Sequence, residues 1–216
     1  MRENQEKEVA SNEPEMWARY HGSRPGTPTH ALKLLKERVV CRMFASRLLS
    51  MAGPVGSVLE IACGTASTLH EIKRKTSGRA VGVDRDPGAI EAARRKYPEL
   101  TLDVGDLFDL PFEKKSFDLV YSVGLLEHFT REEQRRILEI HASFATRYVA
   151  LMVPADGVLM NSILFMNKRV LGRSGTWADE EVFSPRLLES AFPEYRFDAA
   201  FDHRFGNLIL WFGWRP

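Results

Sequence analysis

The sequence lacks the features that would place it outside ordinary globular proteins. Its 216 residues include only two cysteines, Cys41 and Cys63, which form no CxxC pair. This pattern favours reduced thiols in a cytosolic protein over a disulfide framework or a zinc site. No apolar run approaches the ~20 residues of a membrane span, and residues 1–15 lack the apolar core of a signal peptide. We therefore expect a cytoplasmic protein without a membrane span.

An excess of charge of either sign is also missing. The 30 basic and 29 acidic side chains give a formal net charge of +1. Proteins that bind nucleic acid non-specifically usually carry a basic excess or a long basic stripe. The basic clusters at 73–75 and 94–96 are short and lie in predicted helices, where a solvated helix face explains them better. Nucleic acid is therefore not expected as a partner.

What the sequence does contain is a regular alternation of strands and helices. Strands are predicted at Val58–Ala62, Ala80–Asp84, Leu100–Val104, Phe117–Ser122 and Tyr148–Val153. Helices are predicted at 31–51, 66–75, 87–96, 131–145 and 185–191. This alternation indicates a parallel sheet with right-handed crossovers. Strands at 196–203 and 208–214 are joined by a short connection, which parallel neighbours cannot use, so they form an antiparallel hairpin.

The length fits a single domain, since domains commonly run from roughly 50 to 250 residues. We therefore expect one domain over residues 1–216. Residues 1–13 have the composition of a disordered tail, and residues 14–52 are expected to form an N-terminal helical lid. Residues 156–182 are an insertion longer than a typical loop.

The most informative stretch runs from Val58 to Ser67. An apolar strand ends there in a turn of small residues, Ala62, Gly64 and Ala66, which lets a ligand approach the backbone before a helix begins. A plain strand-to-helix turn would explain this segment equally well if it stood alone.

Polar residues at three further strand ends favour a ligand site. Asp84 ends the second strand, where a carboxylate can accept hydrogen bonds from both hydroxyls of a ribose. Asp106 follows the third strand, where it can accept from the exocyclic amine of an adenine. Residues 122–128 follow the fourth strand. The carboxyl ends of parallel strands meet at one edge of the sheet, so all these groups belong to one site.

Together these segments resemble the class I S-adenosylmethionine-dependent methyltransferases, in particular the group called methyltransferase type 11. Residues 59–66 resemble the first motif of the family, 81–87 the second, 105–112 the adenine-binding segment and 117–128 the fourth-strand motif. The resemblance implies an α/β, Rossmann-like seven-stranded sheet, mostly parallel, with an antiparallel C-terminal hairpin strand and helices on both faces. It also implies S-adenosyl-L-methionine as cofactor and S-adenosyl-L-homocysteine as product.

The resemblance also assigns roles around the methionine moiety of the cofactor. Glu60 would anchor the turn near that moiety, and the backbone of Ala62 and Gly64 would pack against it. Ser122 would lie close to the sulfonium. Ala62 and Ala66 stand where the family usually has glycine, and alanine restricts positive φ, so the turn must stay within the backbone region that alanine allows.

Around the nucleoside, the resemblance assigns four more residues. Asp84 would hold the ribose, and Arg85 would cover one face of the adenine. Asp106 and the backbone of Leu107 would read the adenine edge.

His128 is the candidate general base, which is needed only if the acceptor is protonated at working pH. The alternative is a hydrogen-bonding histidine that opens the helix after the fourth strand. Glu127 and His128 also resemble the end of a metal-binding Glu-x-x-Glu-His motif, but Gly124 stands where the first glutamate would be. We therefore expect no metal.

The acceptor is a small molecule in the leading interpretation, methylated on oxygen, nitrogen or sulfur by in-line transfer. Tyr20, His21 and Trp177 are candidate pocket residues, and the insertion at 156–182 is expected to cap the acceptor site. A helix on the sheet edge or a dimer contact would explain the insertion equally well. The competing functions are methylation of RNA or protein, a nicotinamide-dependent oxidoreductase, and a non-catalytic cofactor-binding partner subunit. We expect a monomer or a homodimer.

Overall fold

The computed structural model of the chain describes residues 28–154, 195–202 and 208–214. Within these ranges one seven-stranded sheet has the order β3-β2-β1-β4-β5-β7-β6. The strands are β1 Ser57–Ile61, β2 Arg79–Asp84, β3 Thr101–Val104, β4 Phe117–Val123, β5 Ala145–Pro154, β6 Arg196–Asp202 and β7 Leu208–Trp214. Strands β1 to β5 pair in parallel, and β7 is antiparallel to β5 and β6. The predicted mostly parallel sheet is confirmed.

Four α-helices accompany the sheet within the described ranges: α1 Pro28–Ala52, α2 Ser67–Lys73, α3 Pro87–Lys96 and α4 Arg131–Phe144. A short 3-10 helix, Leu126–His128, lies between β4 and α4. Helix α3 begins as the sequence predicts, because the Asp86 side chain accepts from the Gly88 N–H and proline fills the first helical position. Helix α4 begins with the predicted capping box of Thr130 and Glu133.

The helices cover both faces of the sheet because side chains alternate along each strand. Leu59 and Ile61 of β1 belong to a buried cluster that includes Ile137 of α4. Val58 belongs to the opposite cluster, which includes Leu48 of α1 and residues of α2. Each face therefore has its own apolar core, in agreement with the helices that were expected on both faces.

The amino-terminal edge of the sheet is held by one carboxylate. Asp118 Oδ2, near the start of β4, accepts hydrogen bonds from Gly56 N at 2.6 Å and Ser57 N at 3.2 Å. The Asp118 N–H in turn donates to Ser57 Oγ at 2.9 Å. These bonds fix the register of β1 against β4, and so the relative positions of their carboxyl ends.

Several sequence-based predictions lie outside the described residues. These are the tail at 1–13, the first part of the lid at 14–27, the insertion at 156–182, the helix at 185–191 and the turn at 206–207. The single domain and the lid over 14–52 stay predictions. None of the described helices combines the length and apolar character needed to cross a membrane.

A buried histidine lies on the inner side of α4. His141 is 0% exposed. Its ring Nδ1 lies 2.8 Å from the Ile137 carbonyl oxygen, while Nε2 has no hydrogen-bond partner in the part of the chain that the structure describes. Burial lowers the pKa of His141 from 6.5 to about 4, partly opposed by the bond to Ile137. In the folded chain this imidazole is therefore neutral at any pH well above about 4.

This burial predicts a specific loss of stability in acid. Because the unfolded histidine binds a proton below about pH 6.5 and the folded one does not, stability falls as the pH drops towards 4. The difference in pKa corresponds to about 3 kcal/mol. We expect the unfolding free energy, measured with denaturant across this pH range, to fall less in His141→Leu than in wild type. The difference between the two proteins should be about 3 kcal/mol. Parallel curves for the two proteins would contradict the assignment.

Candidate functional site

The described site residues gather at the carboxyl edge of the sheet. Strand β1 lies between β2 and β4, so the direction of chain progression reverses between β1 and β4. Open α/β sheets bind ligands in the crevice at such a switch point. The strands around it end at Ile61, Asp84, Val104 and Val123.

The turn after β1 uses a left-handed backbone at alternate residues. The φ angles are +58° at Ala62, +49° at Gly64 and +54° at Ala66. The two alanines thus adopt the conformation usually left to glycine, within the small left-handed region that alanine can reach. This conformation costs roughly 1–2 kcal/mol per non-glycine residue, so surrounding contacts must hold it.

Backbone hydrogen bonds supply part of that support. Cys63 N donates to Val83 O of the neighbouring strand at 3.0 Å, and Ala66 N donates to Cys63 O at 2.7 Å. A Cβ on Gly82 would lie 2.8 Å from Cys63 Sγ, so this β2 position has no room for a side chain. The close approach of β2 to the turn therefore depends on glycine at position 82.

The carboxylate of Asp84 connects the turn to the end of β2. Its Oδ2 accepts from Gly64 N at 2.7 Å, and its Oδ1 accepts from Asp86 N at 2.9 Å. A carboxylate has about four acceptor positions, so roughly two remain for a ligand. Asp84 can therefore hold a ribose diol without releasing the turn.

Glu60 lies beneath the turn, almost entirely buried at 2% exposure. Its Oε2 accepts from Leu69 N at 3.1 Å, in the first turn of α2. The N-cap residue of that helix, Ala66, has no side chain that could cap it, and Glu60 supplies the missing acceptor from β1. Glu60 thus fixes the start of α2 relative to β1.

Burial, and to a smaller extent the negative charge of Asp84, raises the pKa of Glu60 to about 8. The Tyr121 hydroxyl and the Leu69 N–H oppose this rise. The Tyr121 hydroxyl is nevertheless too poorly placed relative to the Glu60 carboxyl to form a hydrogen bond with it. At neutral pH the Glu60 carboxyl is therefore mostly protonated.

The nucleoside side of the site combines a carboxylate with an apolar surface. Asp106 is exposed, and its Oδ1 accepts from Phe108 N at 2.8 Å, which leaves Oδ2 for a ligand. Arg85 is exposed, and Leu107 packs partly against the core. Val104 pairs in register with Asp84 and is 48% exposed, so it presents an apolar surface beside that carboxylate. We did not predict Val104, although an apolar strand end before Gly105-Asp106 was visible in the sequence.

The end of β4 presents a more closed surface. Ser122 is 1% exposed, so its hydroxyl is covered in this form of the chain. Gly124 has a φ of +65°, and the buried Glu127 folds back so that its Oε1 would lie 3.5 Å from a Cβ there. A glutamate at position 124 would be strained, which gives a backbone reason for the departure from the metal-binding motif.

His128 ends the 3-10 helix and is half-buried. It therefore precedes α4 instead of opening it.

In the described part of the chain, no three His, Cys, Asp or Glu side chains are grouped so that they could hold a metal ion. Tyr20, His21 and Trp177 lie outside the described residues. Their roles, like those of the other site residues, stay predictions.

An aromatic contact joins the loops that follow β3 and β4. The rings of Phe108 and Phe129 meet edge to face, with centroids 6.2 Å apart. The Arg136 guanidinium of α4 lies 4.5 Å from the centre of the Phe108 ring. We name these three side chains the loop clasp. The sequence did not reveal it, because Phe108 and Phe129 are far apart in the chain.

Comparison with known proteins finds that part of this chain is similar to methyltransferases. Residues 58–145 match a family described as a methyltransferase domain. The ajmaline N-methyltransferase of Rauvolfia serpentina is 27% identical over 129 residues, which cover 56% of this chain and 44% of that protein. The tRNA (carboxymethyluridine(34)-5-O)-methyltransferase of Saccharomyces cerevisiae is 31% identical over 83 residues, which cover 38% of this chain and 29% of that protein. The chain spans less than half the length of either relative.

The fold extends beyond these sequence matches. The magnesium protoporphyrin IX methyltransferase from Synechocystis PCC 6803, solved with bound SAH, superposes with a TM-score of 0.73. The superposition covers 94% of both chains at 16% identity. At this identity the likeness concerns the fold, and it confirms the expected Rossmann-like arrangement.

The double role of Asp84 predicts a contrast between two neighbouring aspartates. Asp84→Asn removes one of the two acceptor oxygens and points an amide donor at a backbone N–H, which should cost about 1–3 kcal/mol of unfolding free energy. Asp86→Asn should change it by less than about 0.5 kcal/mol, because asparagine caps a helix as well as aspartate does. Denaturant unfolding of both variants checks this. Equal effects would show that Asp84 does not hold the turn.

Proposed function

We propose that this chain, which belongs to the class I S-adenosylmethionine-dependent methyltransferases, transfers the methyl group of S-adenosyl-L-methionine to a small molecule and releases S-adenosyl-L-homocysteine. The observation that carries the proposal is the Asp84 carboxylate, which holds the turn after β1 and keeps acceptor positions open beside the exposed Val104. Ribose hydroxyls and an adenine face suit these two surfaces.

The proposed nucleoside contacts follow from the same edge of the sheet. Asp84 would accept from the ribose hydroxyls, while Val104 and Arg85 would lie against the adenine. The free Oδ2 of Asp106 and the backbone of Leu107 would bind the adenine edge. The residue types present therefore fit an adenosine ligand.

The methionine part of the cofactor would lie over the turn from Ala62 to Ala66. The left-handed residues turn the backbone sharply there, and the Glu60 carboxyl below holds α2 in place. Ser122 would approach the sulfonium only after its neighbours move. Bound S-adenosyl-L-methionine supplies an electrophilic methyl group, and the contribution of the chain is to align the acceptor in line with it.

His128 is the proposed proton acceptor for an acceptor hydroxyl or ammonium. It lies just beyond β4, and an ordinary imidazole titrates near neutral pH. An acceptor that is already neutral would need only alignment.

A small-molecule acceptor is the proposal because the chain carries almost no net charge. Methylation of RNA is the second candidate, since a tRNA methyltransferase is among the relatives. We further propose a cytoplasmic monomer or homodimer that uses no metal. In this proposal Tyr20, His21, Trp177 and the insertion at 156–182 line the acceptor side.

The cofactor assignment predicts a contrast between two exposed aspartates of one loop. Asp106→Ala should weaken S-adenosylhomocysteine binding about tenfold, since a hydrogen bond involving a charged group contributes about 1.5 kcal/mol or more. Asp109→Ala, three residues on, should bind like wild type. An analogue without the adenine amine should bind wild type and Asp106→Ala equally. Calorimetry measures all five affinities, and absence of S-adenosylhomocysteine binding to wild type would overturn the proposed function.

The catalytic assignment requires the acceptor. Cofactor with a labelled methyl group, incubated with a cell extract and then fractionated, should label metabolites and leave RNA and protein unlabelled. Label in RNA would favour the second candidate.

With an acceptor that loses a proton, His128→Ala should lower turnover by roughly a hundredfold while cofactor affinity stays the same. The pH-rate profile should also lose a limb near the imidazole pKa. His70→Ala on α2 is the matched control and should retain full turnover. Unaltered turnover of the His128 variant would remove this residue from catalysis, and a lowered melting temperature would indicate a structural role.

A further inference from the structure

The 3-10 helix that carries His128 is held by a side chain of α4. Gln134 lies near the start of α4 and is 4% exposed. Its side-chain Nε2 donates to the Leu126 carbonyl oxygen at 3.1 Å and to the Phe129 carbonyl oxygen at 2.8 Å. Both hydrogens of the amide are therefore used, and the two carbonyls lie on either side of Glu127 and His128.

The 3-10 helix itself is a weak structural element. His128 N donates to Leu125 O at 3.3 Å, and Phe129 N donates to Leu126 O at 3.1 Å. Helices of this type have poorer hydrogen-bond geometry than α-helices and are short. Phe129 is extended, with φ −120° and ψ 153°, so its carbonyl belongs to neither helix. The amide of Gln134 therefore joins Phe129 to the 3-10 helix that precedes it.

Gln134 connects this segment to a well-anchored part of the chain. The start of α4 is fixed by the capping box of Thr130 and Glu133, and Gln134 N donates to Thr130 O at 2.8 Å. On the same face of the helix, one turn further on, Ile137 and Leu138 are buried. An amide on this apolar face costs free energy unless its hydrogen bonds are made. The two bonds to the segment explain why a buried amide is tolerated at this position.

We propose that Gln134 is a positioning residue for methyl transfer, because its amide fixes the backbone on both sides of His128 and so sets the place of the imidazole at the carboxyl edge of the sheet. This inference rests on the proposed role of His128 as proton acceptor. A general base must lie within hydrogen-bond reach of the proton that it accepts, and a displacement of about 1 Å can cost roughly a hundredfold in rate. Gln134 acts through His128 and has no contact with cofactor or acceptor in this role.

Substitution of Gln134 by methionine tests this role. Gln134→Met keeps nearly the same length but has no donor, so the segment loses both bonds. Methyl transfer from labelled S-adenosylmethionine to the small-molecule fraction of a cell extract should slow about tenfold, while the affinity for S-adenosylhomocysteine stays the same. His141→Leu is the matched control, since His141 is buried on the same helix about two turns away, and it should retain the full rate.

A double-mutant cycle separates positioning from a general loss of stability. Because Gln134 acts through His128, Gln134→Met should cause no further loss of rate in a His128→Ala background. A purely structural role would lower the rate by the same factor in both backgrounds. That result would overturn the inference, and so would an unaltered rate in Gln134→Met alone.

Should Gln134→Met fold poorly, Gln134→Asn takes its place. Its amide is one methylene shorter, so it should reach at most one of the two carbonyls and show the same dependence on His128. If wild type is active and His128→Ala transfers methyl groups at the same rate, the role of His128 is overturned and this inference with it. If wild type transfers no methyl group to small molecules, the proposed function itself is overturned.

Discussion

The site depends on the carboxylate of Asp84. Its two oxygens accept backbone hydrogen bonds from the turn after β1 and from the residue that caps α3, so one side chain joins three elements. Because Ala62 and Ala66 hold a conformation that alanine rarely adopts, such external support is required. The bonds that make Asp84 a structural residue also fix the orientation of the carboxylate that we propose binds the ribose.

Much of this arrangement could be predicted from the sequence because its signals are local. The capping box at Thr130, the Asp86-Pro87 helix start and the first four buried strands appear in the structure within one residue of their predicted positions. Strand β5 begins at Ala145, three residues before the predicted start. Asp84 could be predicted to lie at the site because the end of a parallel strand fixes its edge of the sheet.

Other features depend on contacts between distant parts of the chain. The burial of Glu60 follows from how α1 and α2 pack over β1, and no residue near it in sequence reveals its protonation. The exposure of Val104 follows from its place on the edge strand. The left-handed alanines conflict with local preference and are explained only by the hydrogen bonds around them. Sequence patterns therefore predicted which residues gather at the carboxyl edge of the sheet, but not the strained backbone or the electrostatics there.

The loop clasp of Phe108, Phe129 and Arg136 has a consequence for the order of events at the site. It joins the loop that would bind adenine to the loop that carries His128, so we expect the motions of the two loops to be coupled. A ligand that immobilises the first loop also reduces the conformational entropy of the second, and the next ligand then has less motion to suppress. Such coupling is reciprocal, so a ligand bound at either loop would raise the affinity of the other loop for its own ligand. If both loops bind ligands as proposed, this contact would make their binding cooperative.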